Sequence, residues 1–395
     1  MNKAKLGNKS VKKMDFSKTF NQIFHKNSKL FDGKSLSVFL IVCALGIFGC
    51  IMVYSASSYI ASYRYSNEYF YLTKQIVGVV LGVFSMFICS YINYEKLKKL
   101  KWWLVIISAV MLILVFIPGV GVENYGARRW LNLGLFTIQP SEFAKFALVI
   151  FSAVHLSENY QKIGKFKTLL PVITVGVLFC VLVILEPNMS ITMCIGLIML
   201  FMLFVGGTRM KHFAMLSVPV VLAVPALIIV EPYRIQRFMA FLNPWASPQG
   251  EGFQLIQSLY SLGSGGLFGV GLFNSRQKYM FLPFSESDFI FSIIGEELGL
   301  FGTILTLAVF AVLIFLLISI AKNAKDRFGA LLTLGVASVI AIQVILNVCV
   351  VSGLIPPTGL PLPFISAGST SIIVFMSAIG VVLNVDRQSR KNVIQ

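Results

Sequence analysis

Apolar runs of about twenty residues recur from residue 36 to residue 384, separated by polar segments. A helix crossing the hydrocarbon core needs about 20 predominantly apolar residues. Ten runs meet that need: 36–54, 75–92, 102–118, 141–157, 169–186, 190–206, 213–230, 289–320, 328–354 and 364–384. The eighth is too long for one straight span, so part of it lies outside the core. The pattern predicts an all-α polytopic integral membrane protein with about ten transmembrane helices. Residues 36–386 make its membrane domain, 1–35 and 387–395 are tails, and the largest loop, 231–288, precedes the eighth helix. In the first tail Phe16, Phe20, Ile23 and Phe24 recur at helical spacing, which fits an interfacial amphipathic helix. A disordered basic tail fits equally.

Composition narrows the class. Hydrophobic residues make up 57% of the chain and charged ones 12%, about half the roughly 25% charge of a soluble protein. The net charge of +17 raises nucleic acid as a partner, but its placement argues against one. With the N-terminus inside, the cytoplasmic segments hold 24 of the 33 lysines and arginines, the outer loops hold 8, and Lys145 lies in a span. That split is the positive-inside signature, with both ends cytoplasmic. It makes the basic charge a topology and lipid-surface signal. All six cysteines lie in apolar runs without a CxxC pair, as small buried hydrophobes do.

Candidate chemistry gathers in three outer loops. In the first, 119–151, Pro140 opens a helix whose first turn holds Glu142; an acid there complements the helix dipole. Lys145 follows three residues later on the same face. A charge within a span is costly and is either functional or paired, so a substrate role and a structural ion pair both remain open. Arg128 and Arg129 are candidate phosphate ligands, or an interfacial anchor beside Trp130. The second loop carries Arg234 and Arg237 on one helix face, then Gln254, Gln257, Ser258 and Ser261 as the polar stripe of an amphipathic helix. Glycines from Gly263 to Gly271 fit a flexible turn or a phosphate-cradling nest. The third, 351–371, is uncharged, with four prolines and then Ser366, Ser369, Thr370 and Ser371; it fits a re-entrant or cavity-lining segment.

Five stretches, "GARRWL…IQPSEFAK" (126–145), "RFMAFLNPW" (237–245), "SLGSGGLFGVGL…SRQK" (261–278), "LP…SDFIF…GEELG" (282–299) and "GLPLPFIS" (359–366), together resemble the SEDS family of bacterial shape, elongation, division and sporulation proteins. Within it the likeness is to the FtsW and sporulation branch. The resemblance covers about 36–386 and implies a peptidoglycan glycosyltransferase. Such enzymes polymerise lipid II, a disaccharide-pentapeptide on undecaprenyl pyrophosphate, at the outer membrane face. They work with a class B penicillin-binding protein and other division proteins. The resemblance makes Asp288 the catalytic residue. The chain departs from the family pattern at Phe284 and Glu286, where relatives carry LPE followed by a polar residue. "FISAGSTS" likewise replaces the family's "FISYGGSS".

The chemistry agrees with that assignment. A sugar 4-hydroxyl attacks an anomeric carbon while pyrophosphate departs, and a carboxylate within hydrogen-bond reach can take its proton. Arginines and Lys278 can stabilise the departing charge. A divalent cation, Mg or Mn, at the pyrophosphate suits this chemistry, although no ligand cluster is visible in the sequence. Glu286 is the rival base: in an extended segment it shares a face with Asp288, and two close carboxylates raise one pKa. On a continuous helix Glu296 lies about 12 Å deeper than Asp288, and Glu297 points the other way; both fit structural or substrate-channel roles. Gly295 and Gly299 make a GxxxG step for packing a neighbouring or partner helix. The competing functions are a flippase for lipid-linked precursors and a non-catalytic division scaffold. Against the first, no internal repeat is visible, and the charges gather on one side.

Overall fold

The computed structural model describes residues 33–124, 127–132, 137–230, 232–357 and 359–391. The tail containing Phe16 to Phe24 lies outside them. Ten long helices correspond to the ten apolar runs: α1 (Lys34–Tyr65), α2 (Phe70–Tyr91), α3 (Lys96–Leu114), α4 (Pro140–Glu158), α5 (Phe166–Leu185), α6 (Met189–Gly206), α7 (Met210–Val230), α10 (Ile290–Lys322), α11 (Arg327–Val351) and α12 (Ser369–Lys391). Two shorter helices, α8 (Pro232–Leu242) and α9 (Phe253–Ser264), lie in the large loop. Among the described residues, seven helices qualify as spans on length and apolarity alone. The others are α3, with four lysines in its first turns, α4, which carries Glu142 and Lys145, and α7.

Local chemistry sets many of the ends. Pro140 occupies the first turn of α4, where its missing N–H costs nothing. Asn188 caps α6 by accepting the Ile191 N–H at 3.3 Å, and Asp326 caps α11 through Gly329 at 2.9 Å. Each supplies an acceptor for a helix-start N–H that has no partner within its helix. The two ends of the described chain meet: Ser35 and Arg390 both bond Asp386. They lie at the end of the bundle opposite the loop that carries Asp288. α4 is buried over most of its length, and 61–67% of the apolar windows of α6, α11 and α12 are buried, so these four form the centre. α2 packs along α12 through Gly78, against Ser369, and Gly82, against Met376; small residues let such helices approach closely.

Two features depart from the sequence expectation. Part of the loop between α3 and α4 is a three-stranded antiparallel sheet, β1 (Gly121–Asn124), β2 (Ala127–Asn132) and β3 (Thr137–Ile138). Adjacent side chains on a strand face opposite ways, so Arg128 and Arg129 part company. The second is α10. Its 33 residues break at Gly299, where φ is 69° and ψ −165°, a conformation open to glycine. The portion beyond, 300–322, is roughly 34 Å long, enough for one span.

The break also changes the GxxxG reading. The short helix α9 packs at Gly295 through Leu262, and the loop residues Leu267 and Gly269 pack at Gly299. Leu300 N–H bonds Gly266 at 2.9 Å, and Val270 N–H bonds Glu296 O at 2.9 Å. A Cβ on Gly269 would lie 2.1 Å from Glu297 O. These glycines serve close packing on α10 and make no nest in the cavity.

Candidate active site

Asp288 ends a turn that leads into α10. Phe284 has a φ of 57°, and its carbonyl accepts the N–H groups of Ser287 at 3.1 Å and Phe289 at 3.2 Å. The segment is therefore a turn, not an extended strand, and Glu286 and Asp288 do not share a face. Asp288 lines a cavity of about 440 Å³. Glu286 is buried outside that lining, within electrostatic reach of Arg64 and Tyr71 on the α1–α2 side.

The turn is held from three directions. Asn347 of α11 donates to the Asp288 carbonyl at 2.8 Å and to Leu360 O at 2.7 Å. The Ser366 hydroxyl donates to Ser287 O at 2.6 Å and accepts the Leu362 N–H at 2.7 Å. Ala367 N–H donates to Glu286 O at 2.9 Å. Ser366 is thus a positioning group that binds the proline segment to the turn. That segment also shapes the carboxylate's surroundings: a Cβ on Gly359 would lie 2.7 Å from Asp288 Oδ2.

Burial, reinforced by the nearby Glu286 charge and opposed by Arg129, pushes the Asp288 carboxyl up to about 7. Burial also raises Glu286. A carboxylate poised near neutrality is matched to general-base work.

Of the residues expected at the site, Arg129, Arg237 and Gln254 join Asp288 in the cavity. Arg129 donates to Glu186 O and Pro187 O at 3.3 and 2.5 Å. Arg237 pairs with Glu251 at 3.1 Å, and Gln254 donates to Pro283 O at 3.4 Å. Arg234 is on α8, but its side chain lies outside the described residues. Arg128 pairs with Glu123 at 3.0 Å on the exposed sheet face.

Glu142 and Lys145 form a fully buried pair at 2.8 Å, outside the cavity. Lys145 also bonds Gln343 Oε1 at 2.5 Å, and Gln343 donates to Pro361 O at 2.8 Å. The pair therefore supports the proline segment facing Asp288 through α11.

Lys278 and Glu297 also lie away from the cavity. Lys278 bonds Phe273 O at 2.5 Å and faces Glu297 at 3.5 Å. Glu297 accepts from Ser55 at 2.5 Å and from Ser275 N–H at 3.2 Å. Glu296 accepts the Arg276 N–H at 2.9 Å and bonds the Ser275 hydroxyl. The two acids do not diverge in function: both grip residues 275–278 beside the α10 break. The α9 stripe behaves alike. Ser258 and Ser261 turn inward to Ser292, at 2.8 and 2.9 Å, and Gln257 stays outside the cavity lining.

The cavity adds residues that sequence reasoning did not assign, Tyr71, Lys74, Gln75 and Asn188, and Ser369 to Ser371 of the third loop line it as expected of a cavity-lining segment. Gln75 had a signal, a polar residue opening an apolar run, and its amide donates to Ile365 O and Ser366 O at 3.1 and 3.2 Å. A second, apolar cavity of about 360 Å³ lies between α2, α3, α4, α11 and α12. Ile107, Phe143, Ile373 and Ala378 are among its walls, and it shares Thr370 with the first.

Fold and site define a polytopic α-helical membrane protein with one carboxylate and several cations in a cavity at one end of the bundle. The family model described as cell cycle protein, FtsW/RodA/SpoVE, matches residues 35–391. The chain is 42% identical to stage V sporulation protein E of Bacillus subtilis, over 90% of this chain and 97% of that one. It is 36% identical to a probable peptidoglycan glycosyltransferase FtsW of Geobacter metallireducens, over 94% and 99%. A solved chain from work on the structural coordination of polymerization and crosslinking by a peptidoglycan synthase complex matches with a TM-score of 0.74 and 27% identity, over 91% and 98%. The rod shape determining protein RodA of Thermus thermophilus shares the fold, with a TM-score of 0.64. The chain belongs to the FtsW/RodA/SpoVE family.

Proposed function

We propose that this protein is a peptidoglycan glycosyltransferase that polymerises lipid II at the outer face of the cytoplasmic membrane, in cell division or sporulation. The observation that carries the reading is Asp288, poised near neutrality in a cation-lined cavity that adjoins an apolar groove. The relatives' names support the activity, and the lysine and arginine split supports termini inside and the cavity outside.

The acceptor sugar's 4-hydroxyl approaches Asp288, which takes its proton as the oxygen bonds the donor's anomeric carbon. The bond from that carbon to the phosphate oxygen breaks, and its electron pair leaves on undecaprenyl pyrophosphate. Positive groups in place before reaction stabilise that charge without rearranging. Asp288 returns its proton to water before the next cycle. A divalent cation would share the leaving charge, but the cavity sets a single carboxylate among Lys74, Arg129 and Arg237. No group of three or more His, Cys, Asp or Glu side chains converges among the described residues. This donor set does not fit a protein-held ion, and no step here uses one.

The matched synthase complex supports a class B penicillin-binding protein as the partner that cross-links the product. The test is purified protein with lipid II and no other polymerase. Glycan strands are the expected product; lipid transfer between leaflets without strands would refute the reading. Tags at residues 65 and 250 should report outside, and tags at 99, 163 and 324 inside. A cytoplasmic signal from residue 250 would sink the active-site placement.

A further inference from the structure

We propose that the corner where α4, α6, α7 and α11 meet, at the end of the bundle opposite Asp288, binds the headgroup phosphate of an anionic phospholipid between Arg209 and Arg327. In the orientation proposed above this corner faces the inner leaflet. The site does not depend on the polymerase reading.

Residues 159–230 carry Lys162, Lys165, Lys167, Arg209 and Lys211, all at this end, and their only acid, Glu186, lies at the other. A basic rim of that kind follows from topology and is not in itself a site. The fold adds placement. Residues 159–165 join α4 to α5, and 207–209 join α6 to α7. The Arg327 guanidinium lies 5.1 Å over the Tyr160 ring and donates to Gly206 O at 2.9 Å. Arg209 rests on the far end of the same connection: a Cβ on Gly164 would lie 2.8 Å from its Nε and 3.0 Å from its Nη2. Arg327 Nη2 is also 3.6 Å from where a Cβ on Gly207 would stand, two residues before Arg209. The two guanidinium groups are thus set against one short connection by neutral contacts.

The acids nearby are committed elsewhere. Asp326, next to Arg327, accepts from Tyr94 at 2.7 Å and pairs with Lys98 at 3.2 Å. Glu158 pairs with Lys101 at 2.6 Å. Among the described residues no carboxylate lies within ion-pair distance of Arg209 or Arg327. Thr208, between Gly207 and Arg209, is buried, and its hydroxyl has no hydrogen-bond partner among them. Two planar guanidinium forks beside an unused hydroxyl suit the oxygens of a phosphate. The surroundings select a lipid as its source. Phe204 and Met210 stand exposed on either side of the turn, and Met215 and Val218 continue that apolar surface along α7. Acyl chains cover such a surface, whereas a soluble phosphate or an acidic peptide leaves it bare. Basic pockets between spans on the cytoplasmic side bind anionic headgroups in this way.

The test titrates the purified protein, in neutral detergent, with phosphatidylglycerol or phosphatidylcholine. Bound lipid is counted by native mass spectrometry, and thermal unfolding is followed on the same samples. Phosphatidylglycerol should bind about tenfold more tightly or better, the scale of one charged hydrogen bond, and should raise the melting temperature. Arg209→Gln and Arg327→Gln should each remove most of that preference. Lys99→Gln, which takes an exposed charge from the same end of the bundle, should leave it within about twofold. No preference in the wild type, or equal loss in all three variants, would overturn the site. Inorganic phosphate or a polyglutamate peptide that raises the melting temperature as much as phosphatidylglycerol would overturn the lipid assignment.

A diazirine on the acyl chain of phosphatidylglycerol gives a test in the unmutated protein. Adducts are expected within 204–218, which hold the exposed apolar residues beside the arginines; adducts confined to other helices overturn the site. None of these measurements uses lipid II, so their failure leaves the polymerase reading standing, and a protein that makes no strands can still bind the phospholipid. An outside signal from the tag at 163 would refute the leaflet and not the binding.

Discussion

Asp288→Asn removes the base while keeping the size and shape of the side chain. The backbone carbonyl that Asn347 holds at 2.8 Å is untouched, so the turn should keep its geometry. General-base loss costs about 10²–10⁴ in rate, or roughly 3–5 kcal/mol of transition-state stabilisation. The pH dependence is the sharper test. With Asp288 pushed up to about 7, its basic form is half populated near neutrality and vanishes below. The wild-type rate should climb with pH through about 7, and the residual rate of Asp288→Asn should lack that limb. Stability should run the other way. A raised carboxyl binds its proton more tightly folded than unfolded, so its contribution is complete below about 4 and fades as pH rises towards 7. At pH 8 the Asn variant should therefore melt no lower than wild type. The assay is strand synthesis from lipid II, with thermal unfolding on the same sample. A near wild-type rate from a well-folded Asp288→Asn protein would refute the mechanism. A flippase would lose lipid transfer in this variant, and a scaffold would lose neither activity nor partner binding.

Glu286→Gln removes the negative neighbour that helps raise Asp288, so the acidic limb should move to lower pH with less loss of rate than Asp288→Asn; an unmoved limb would show that Glu286 does not tune Asp288. Gly359→Ala places a Cβ 2.7 Å from Asp288 Oδ2. The carboxylate must shift by roughly 1 Å to clear it, which costs about 10² in rate, so strand synthesis should fall by that much at little cost in thermal stability. Lys145→Ala strands the fully buried Glu142, at about 3–5 kcal/mol. Its melting temperature should drop clearly, and the Glu142→Gln, Lys145→Met double variant should lose less, because neither half leaves a buried charge; unchanged melting in Lys145→Ala would show that the pair is not structural.

The spans were legible because hydrocarbon imposes one rule along their whole length, and all ten runs became helices. The place of Asp288, just before α10, was legible in the same way, and the structure sets it in the cavity lining. What stayed hidden depends on backbone direction. Nothing in "RRW" says that the segment is a strand, yet the strand sends Arg129 to the cavity and Arg128 to Glu123. Nothing in "GEELG" announces the φ of 69° at Gly299; without that break Glu296 and Glu297 seem to diverge. Lys74 was counted among the outer cations, but its tie to Asp288 runs through a cavity built from seven separate stretches of chain.

These hidden contacts share a logic. Asp288 sits on a turn, where a carboxylate can reach both water and membrane-bound sugars, and an isolated turn would hold it loosely. The protein therefore fixes the turn through the proline segment, by Ser366 to Ser287 and Ala367 to Glu286. That segment is in turn fixed within the bundle, by Asn347 and by Gln343 with the Lys145–Glu142 pair behind it. Prolines suit this arrangement because they lack an N–H to satisfy, while the carbonyl of Pro361 still accepts from Gln343. The buried ion pair thus reaches the turn through Gln343 and the proline segment. Loss of Lys145 should weaken the turn before it alters any group that meets lipid II, so Lys145→Met in the presence of Glu142→Gln should depress kcat more than it raises KM. A selective rise in lipid II KM would place the pair back among the substrate ligands.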